Sequence, residues 1–383
     1  MPPTMRTRRQ GKAAAAAAVK REASASASPP SSPAPFQAPV EKRSAAVDED
    51  VPPASPSSHT VVKIAKIEGP TVTRPTPTPQ SWIPKQAQFP LVAILSMAIS
   101  TIGTSLVWPF TKGVLAAHAR PITSWPELVA IIGWRLFELA LGWFGDYDGY
   151  DITALNLLTH VPPLYLLFAH YDTPALPILL TLSVETIATY IPWHLMRSLS
   201  RAHAKPATAP NADILTDTPI TLLTTLLAGA IYSVALLFAY ATYLPTYLVL
   251  YFNDLISVVR AHDTNYIGLL PVTLILGFAA RTFIFTPATS AKRTEADEKN
   301  EAFDPVKASL KDTVWWNVWG WSTQAKVAIR RTALLCAATG LNTFLQTRLT
   351  VNGVETAGAA AWSSVWVLAS AVTGLALGAV GSV

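Results

Sequence analysis

The 383-residue chain is half apolar, only 14% charged, and has a positive mean hydropathy of +0.32. A soluble domain carries about 25% charged residues, so a water-soluble globular fold is excluded, and apolar runs of about 18 residues or more identify the solvent as lipid. The net charge of +5 belongs to the first 88 residues, which hold 12 of the 29 Lys/Arg and 6 of the 24 Asp/Glu, so it carries no argument for nucleic acid, and none is expected as a partner.

Residues 1–88 contain 15 of the 31 prolines, runs of Ala and Ser, and two aromatics, Phe36 and Trp82. Such a segment buries too little apolar surface to offset the entropy of ordering. It reads as a disordered, basic, cytosolic tail. Its first 21 residues hold Arg6, Arg8, Arg9, Lys12, Lys20 and Arg21 with no acid. Transit, nuclear-import and phospholipid-binding readings compete there with a simply solvated tail. Ser28-Pro29, Ser32-Pro33 and Ser55-Pro56 are candidate phosphorylation sites. No apolar run precedes residue 89, so no cleavable secretory signal is expected.

The remainder, 89–383, reads as an all-α, polytopic transmembrane helix bundle of about eight spans. The expected spans are 91–108 (between Pro90 and Pro109), 125–144, 152–170, 174–196, 220–241, 266–285, 327–345 and 357–380. Residues 243–252 around Pro245 read as an interfacial extension, because 220–252 is too long for one span of about 20 residues. A hydrophilic loop, 286–313, holds five bases and six acids. Trp108, Trp125, Trp143, Trp193 and the group Trp315, Trp316, Trp319 and Trp321 fall at segment ends, where an apolar ring with one hydrogen-bond donor suits the interface. Trp134 and Trp366 fall inside segments and are expected to pack on neighbouring helices.

Loop charge sets the expected orientation. Eight spans with a cytosolic tail put Arg197, Arg201, Lys205, the five bases of 286–313, Lys326, Arg330 and Arg331 on the cytosolic side. The other side receives Lys112, Arg120, Arg260 and Arg348. Both termini are then cytosolic. The endoplasmic reticulum or another endomembrane is the favoured location, with a mitochondrial membrane as the alternative.

Charges at membrane depth concentrate in 125–196. Arg135 and Glu138 share a face of the second segment, Asn156 and His160 a face of the third, and Glu185 lies near the middle of the fourth. A charge at the bilayer centre costs at least about 2.5–3.5 kcal/mol. One arginine balances one carboxylate, so one acid is left over, and Glu185 reads as the sensitive one. Pro162-Pro163 frees backbone carbonyls one turn earlier. A kinked helix beside a midplane histidine is a way transporters build a site. These five residues therefore form the candidate intramembrane site.

Asp146, Asp148 and Asp151 resemble a fragment of a cation-binding loop, but the spacing and closing Glu of an EF-hand are absent. Cys336 is the one cysteine, which excludes an intrachain disulfide and a thiolate metal centre. No nucleophile elbow, Walker A or dinucleotide fingerprint occurs, so no catalytic residue, metal or cofactor is expected. The function classes that remain are a transporter or channel-like protein, a membrane-embedded scaffold or assembly factor with structural charges, and an intramembrane lipid-modifying enzyme. Expected partners are the bilayer and proteins recruited by the tail or the 286–313 loop. Ser370, Gly374, Gly378 and Ser382, four apart, form a row expected to pack within the molecule.

Overall fold

The computed structural model describes residues 84–259 and 265–381. The expectations for the tail up to residue 83, and those for Arg260 and Ser382, lie outside the described residues. Among the described residues the regular elements are helical, and extended backbone pairs in two isolated bridges, Ala119 with Val351 and Phe252 with Val354. The helices are α1 (Lys85–His118), α2 (Trp125–Phe144), α3 (Gly149–His170), α4 (Ala175–Met196), α5 (Thr218–Ala241), α6 (Leu244–Tyr251), α7 (Tyr266–Thr289), α8 (Glu295–Glu301), α9 (Leu310–Trp319), α10 (Thr323–Thr350) and α11 (Thr356–Gly381). Short helical turns join α4 to α5, and α7 contains a π-helical stretch, Arg281–Phe285.

Six of these, α1, α3, α4, α5, α7 and α11, are long and apolar enough to cross a membrane. The other two long helices are more polar. α2 carries Glu127, Arg135 and Glu138, and α10 carries Lys326, Arg330, Arg331 and Arg348. Their ends nevertheless coincide with those of their neighbours. At one end of the bundle, the turn after α10 is clamped to the ends of α1 and α6. Arg120 N–H donates to Thr350 O (2.8 Å), Asn352 N–H to His118 O (2.9 Å) and Glu355 N–H to Tyr251 O (2.9 Å). Gly353, at φ +69°, makes that turn. α2 starts at this end, where Arg120 bridges Glu127 (2.5 Å) and the Arg348 carbonyl (3.2 Å). It finishes at the opposite end, where Arg197 after α4 donates to the carbonyls of Trp143 and Tyr147, both at 3.1 Å.

α1 differs from expectation, running straight through Pro90 and Pro109. Each proline frees one carbonyl rather than ending the helix, a loss that membrane helices tolerate when nearby side chains re-satisfy the backbone. The freed carbonyls are those of Gln86 and Ser105, and the hydroxyls of Ser105 and Thr111 bond the neighbouring carbonyls of Thr101 and Val107. At about 1.5 Å per residue, this helix is longer than a ~30 Å hydrocarbon core needs.

α3 is the centre, packed against α4, α7 and α10, and Leu155, Leu158 and Leu166 on it are fully enclosed. Asp148 caps its start, accepting from the N–H groups of Tyr150 and Asp151. Pro162 and Pro163 cannot donate to the carbonyls of Leu158 and Thr159, one turn back. Both carbonyls are taken by α10: Thr339 donates to Leu158 O (3.4 Å) and Asn342 Nδ2 to Thr159 O (2.7 Å). The double proline is thus a docking point for α10.

α5 and α7 approach closely. A Cβ on Gly277 would lie 2.5 Å from Thr225 O and 2.7 Å from Gly229 N. The small-residue row of α11 faces inward, with Ser370 bonded to Tyr232 (3.0 Å) and Gly374 against Thr332. Trp366 is enclosed between Tyr165 and Trp362, and Trp134 donates to Asn342 Oδ1 (3.0 Å).

Candidate functional site

The structure brings Arg135, Glu138, His160 and Glu185 to one cleft of about 290 Å³, formed by α1, α2, α3, α4 and α10, with Ser100, Asn342 and Gln346 in its walls. The pairing within it differs from charge counting alone. Arg135 Nη2 lies 3.1 Å from Glu185 Oε2 and donates to Thr189 Oγ1 (2.9 Å), while Nη1 is 3.8 Å from Glu138 Oε2. Ser100 of α1 donates to the other Glu185 oxygen (2.8 Å). Glu185 is therefore the satisfied acid. Glu138 is the remaining one: it is buried, and its Oε1 has no hydrogen-bond partner.

His160 lines the cleft, while its Nδ1 stays on its own helix, beside Asn156 O (3.1 Å), Asn156 Nδ2 (3.2 Å) and Thr159 Oγ1 (3.0 Å). Asn156 lies behind the cleft, not in it. Together with Arg135, Glu138 and Thr189 it borders a separate void of about 10 Å³, and its Oδ1 is buried without a partner. A void of that size holds at most one water. Behind Glu138, then, lies a separate space for a single water.

Of the three aspartates of the α2–α3 connection, Asp148 and Asp151 lie together and Asp146 points away. Asp146, in the left-handed region at φ 60°, points out to Arg197 (2.7 Å). Asp148 accepts from Ser200 N–H (2.9 Å) and lies 2.7 Å from His203 Nδ1. Asp151 is held in a two-pronged pair by Arg331, at 2.7 and 2.9 Å. The Arg331 guanidinium also lies over the rings of Tyr147 and Phe283 and donates to Phe283 O. Burial alone would raise the Asp148 carboxyl, but the hydrogen bond and charge of His203, with the N–H groups of Asp151 and Ser200, hold it well below the usual carboxylate range. Asp148, Asp151 and His203 do offer ligand atoms within 4.8 Å of one another. The carboxylates and His203 Nδ1 already have protein partners, while His203 Nε2 is buried without one. The arrangement ties α3, α4 and α10 together at one end of the bundle.

The second half of the chain carries the likeness to known proteins. Residues 217–380 match the family model described as the Bouquet formation protein 3 C-terminal domain. No curated protein and no solved structure matches the chain. The matched stretch covers α5 to α11, including Arg331, Thr339 and Asn342. Arg135, Glu138, Asn156, His160 and Glu185 all precede it, so the likeness to the bouquet protein domain rests on none of these polar residues.

Ser100, Thr189, Arg197, His203 and Arg331 complete the polar contacts and were not among the expected site residues. Arg331 was readable only as a loop-side base, because its partner lies 180 residues earlier in the chain. Ser100 and Thr189 are single hydroxyls in apolar runs, a pattern that many membrane helices share.

Proposed function

We propose that the protein is a membrane-embedded scaffold that acts in bouquet formation, at the nuclear envelope and its continuation in the endoplasmic reticulum. The observation that carries this reading is the match of 217–380 to the C-terminal domain of a bouquet formation protein, on a body with six helices fit to cross a membrane. The polar cluster fits such a role. Arg135 is spent on Glu185 and Thr189, and the space beyond Glu138 has room for one water, so the cluster works as a tie between α1, α2 and α4 rather than as a conduit.

The reading includes eight crossings, with α2 and α10 spanning alongside the six apolar helices. Its support is that both helices begin and end with their neighbours. It also places the tail and the connections around α8 and α9 on the cytosolic or nucleoplasmic side, where they are free to recruit protein partners.

The test is imaging of the tagged full chain in meiotic cells beside a marker of chromosome ends. The expected result is fluorescence at the nuclear rim and, in cells lacking the protein, chromosome ends that fail to gather. Normal gathering in such cells would overturn the reading. A transporter is the competing class. Proton or solute flux in reconstituted vesicles that depends on Glu138 would favour it.

A further inference from the structure

The helix α9 stands apart from every other element of its length. None of its residues is buried. Leu310, Val314 and Val318 stack at four-residue spacing, with Trp315 and Trp319 beside them, and Leu310, Trp315 and Val318 are 82%, 67% and 63% exposed. In water, a row of this size is an aggregation liability. Lys311 shares that side, where a long stem lets the ammonium reach outward while its methylenes stay apolar.

The height of α9 in the bundle is set by hydrogen bonds on either side of it. The last carbonyl of α7, Thr289 O, accepts from Asn211 (3.0 Å) and from Gln324 of α10 (3.4 Å). Asp297 of α8 accepts from both the N–H and the hydroxyl of Thr323, the first residue of α10, at 2.7 Å. Trp316 stacks on Phe303 at 5.0 Å and donates to Asn300 O, tying α9 to α8. So α9 lies between the terminus of one membrane helix and the start of the next long helix, level with both. That level is the bilayer interface, and tryptophan prefers it.

Behind the helix is a pocket of about 850 Å³ bordered by Lys292, Arg293, Asn300, Trp316, Ser322 and Gln324. Arg293 is paired with Glu301, whose carboxylate also lines the pocket. Asp297, also in the wall, is occupied by Thr294 and Thr323. Among the described residues, Lys292 has no acid within ion-pair distance. The pocket thus combines a cation, amide and hydroxyl donors and an indole edge, at the depth where lipid phosphates lie.

We propose that α9 is an in-plane anchor immersed in the leaflet, and that the pocket behind it holds the phosphate-bearing headgroup of one phospholipid from the same bilayer. Lys292 and the donors around it face the phosphate, and Trp316 with Phe303 forms the wall along its glycerol side. The row on α9 lies level with the end of the membrane helix α7 and the start of α10, which is why lipid and not a second protein is its occupant.

The test uses the full chain with Cys336→Ala, reconstituted in phosphatidylcholine nanodiscs. Spin labels are placed at Trp315→Cys and Val318→Cys, with Val306→Cys in the preceding loop as reference. Relaxation by oxygen, which partitions into lipid, is compared with relaxation by a water-soluble nickel chelate. The expected result is oxygen-dominated relaxation at 315 and 318 and chelate-dominated relaxation at 306. Chelate-dominated relaxation at 315 and 318 overturns the anchor. In parallel, native mass spectra of the detergent-released protein should show one retained phospholipid, with its occupancy more than halved by Lys292→Glu. Equal occupancy in both proteins, or displacement of the lipid by inorganic phosphate, overturns the headgroup site.

Discussion

Arg135 has two carboxylates within reach and is oriented toward one of them. Replacing it with Met strands Glu185 beside Ser100 and removes the donor to Thr189. Truncating one member of a buried, hydrogen-bonded pair costs about 2 kcal/mol or more, so Arg135→Met is expected to lower the thermal midpoint in detergent well below that of Glu138→Gln. Glu138 already lacks a partner on Oε1, and its amide should be tolerated. A Glu138→Gln protein less stable than Arg135→Met would reverse this assignment. Asn342 offers a second residue-scale test, since it joins α2, α3 and α10 through Trp134 and Thr159 O. Interhelical hydrogen bonds in membranes contribute about 0.6–2 kcal/mol each. Asn342→Leu should therefore cost about 1–2 kcal/mol in an unfolding titration, and no measurable loss would argue against the bridge.

Between elements, close approach and local charge decide. The α5–α7 contact leaves no room at Gly277, where a Cβ would meet backbone on α5 at 2.5 Å. Gly277→Val is expected to cost about 1–3 kcal/mol through overpacking. Gly113→Ala on α1, where a Cβ would meet nothing, should be neutral or gain about 0.5–1 kcal/mol of helix stability. Equal effects of the two substitutions would refute the contact. The α8–α10 junction should respond to acid. Burial alone would raise the Asp297 carboxyl, but hydrogen bonds from Thr323 and Thr294 bring it down to about 2. A carboxylate whose folded value lies below its unfolded value contributes stability above the unfolded value and loses it as pH falls toward the folded one. Amide protection at Thr323 should therefore decline, relative to Asp297→Asn, as pH drops below the ordinary Asp range toward 2. Protection that stays level through that window would contradict the pairing.

At the scale of the whole molecule, the expected topology is open to cysteine labelling in a Cys336→Ala background. Cysteines at Asp146, Ser198 and Lys299 should react from one side of the membrane, and those at Ile122, Asp172 and Asn352 from the other. Ile122 and Asp146 reacting from the same side would remove α2 from the list of crossings. The two long polar helices also explain why the span count is hard to read from composition. α2 turns Arg135 and Glu138, and α10 turns Arg331, against other helices, so their apolar signal is diluted by residues that lipid never meets.

What the sequence by itself determined is the class of molecule and most of its helices. Low charge, long apolar runs and tryptophans at their ends suffice for that, because lipid demands that backbone groups be satisfied within each segment. Local chemistry also showed that Pro162-Pro163 would free two carbonyls, and that Arg135, Glu138, His160 and Glu185 lie at similar depth. Tertiary structure alone decided who meets whom. Glu185 rather than Glu138 takes the arginine, because Ser100 and Thr189 arrive from α1 and α4 to complete its shell. Arg331 closes on Asp151, and Asn342 on the proline-freed carbonyl, across 180 and 183 residues of chain. Pairings at that separation depend on helix packing, and no local pattern in one sequence encodes them.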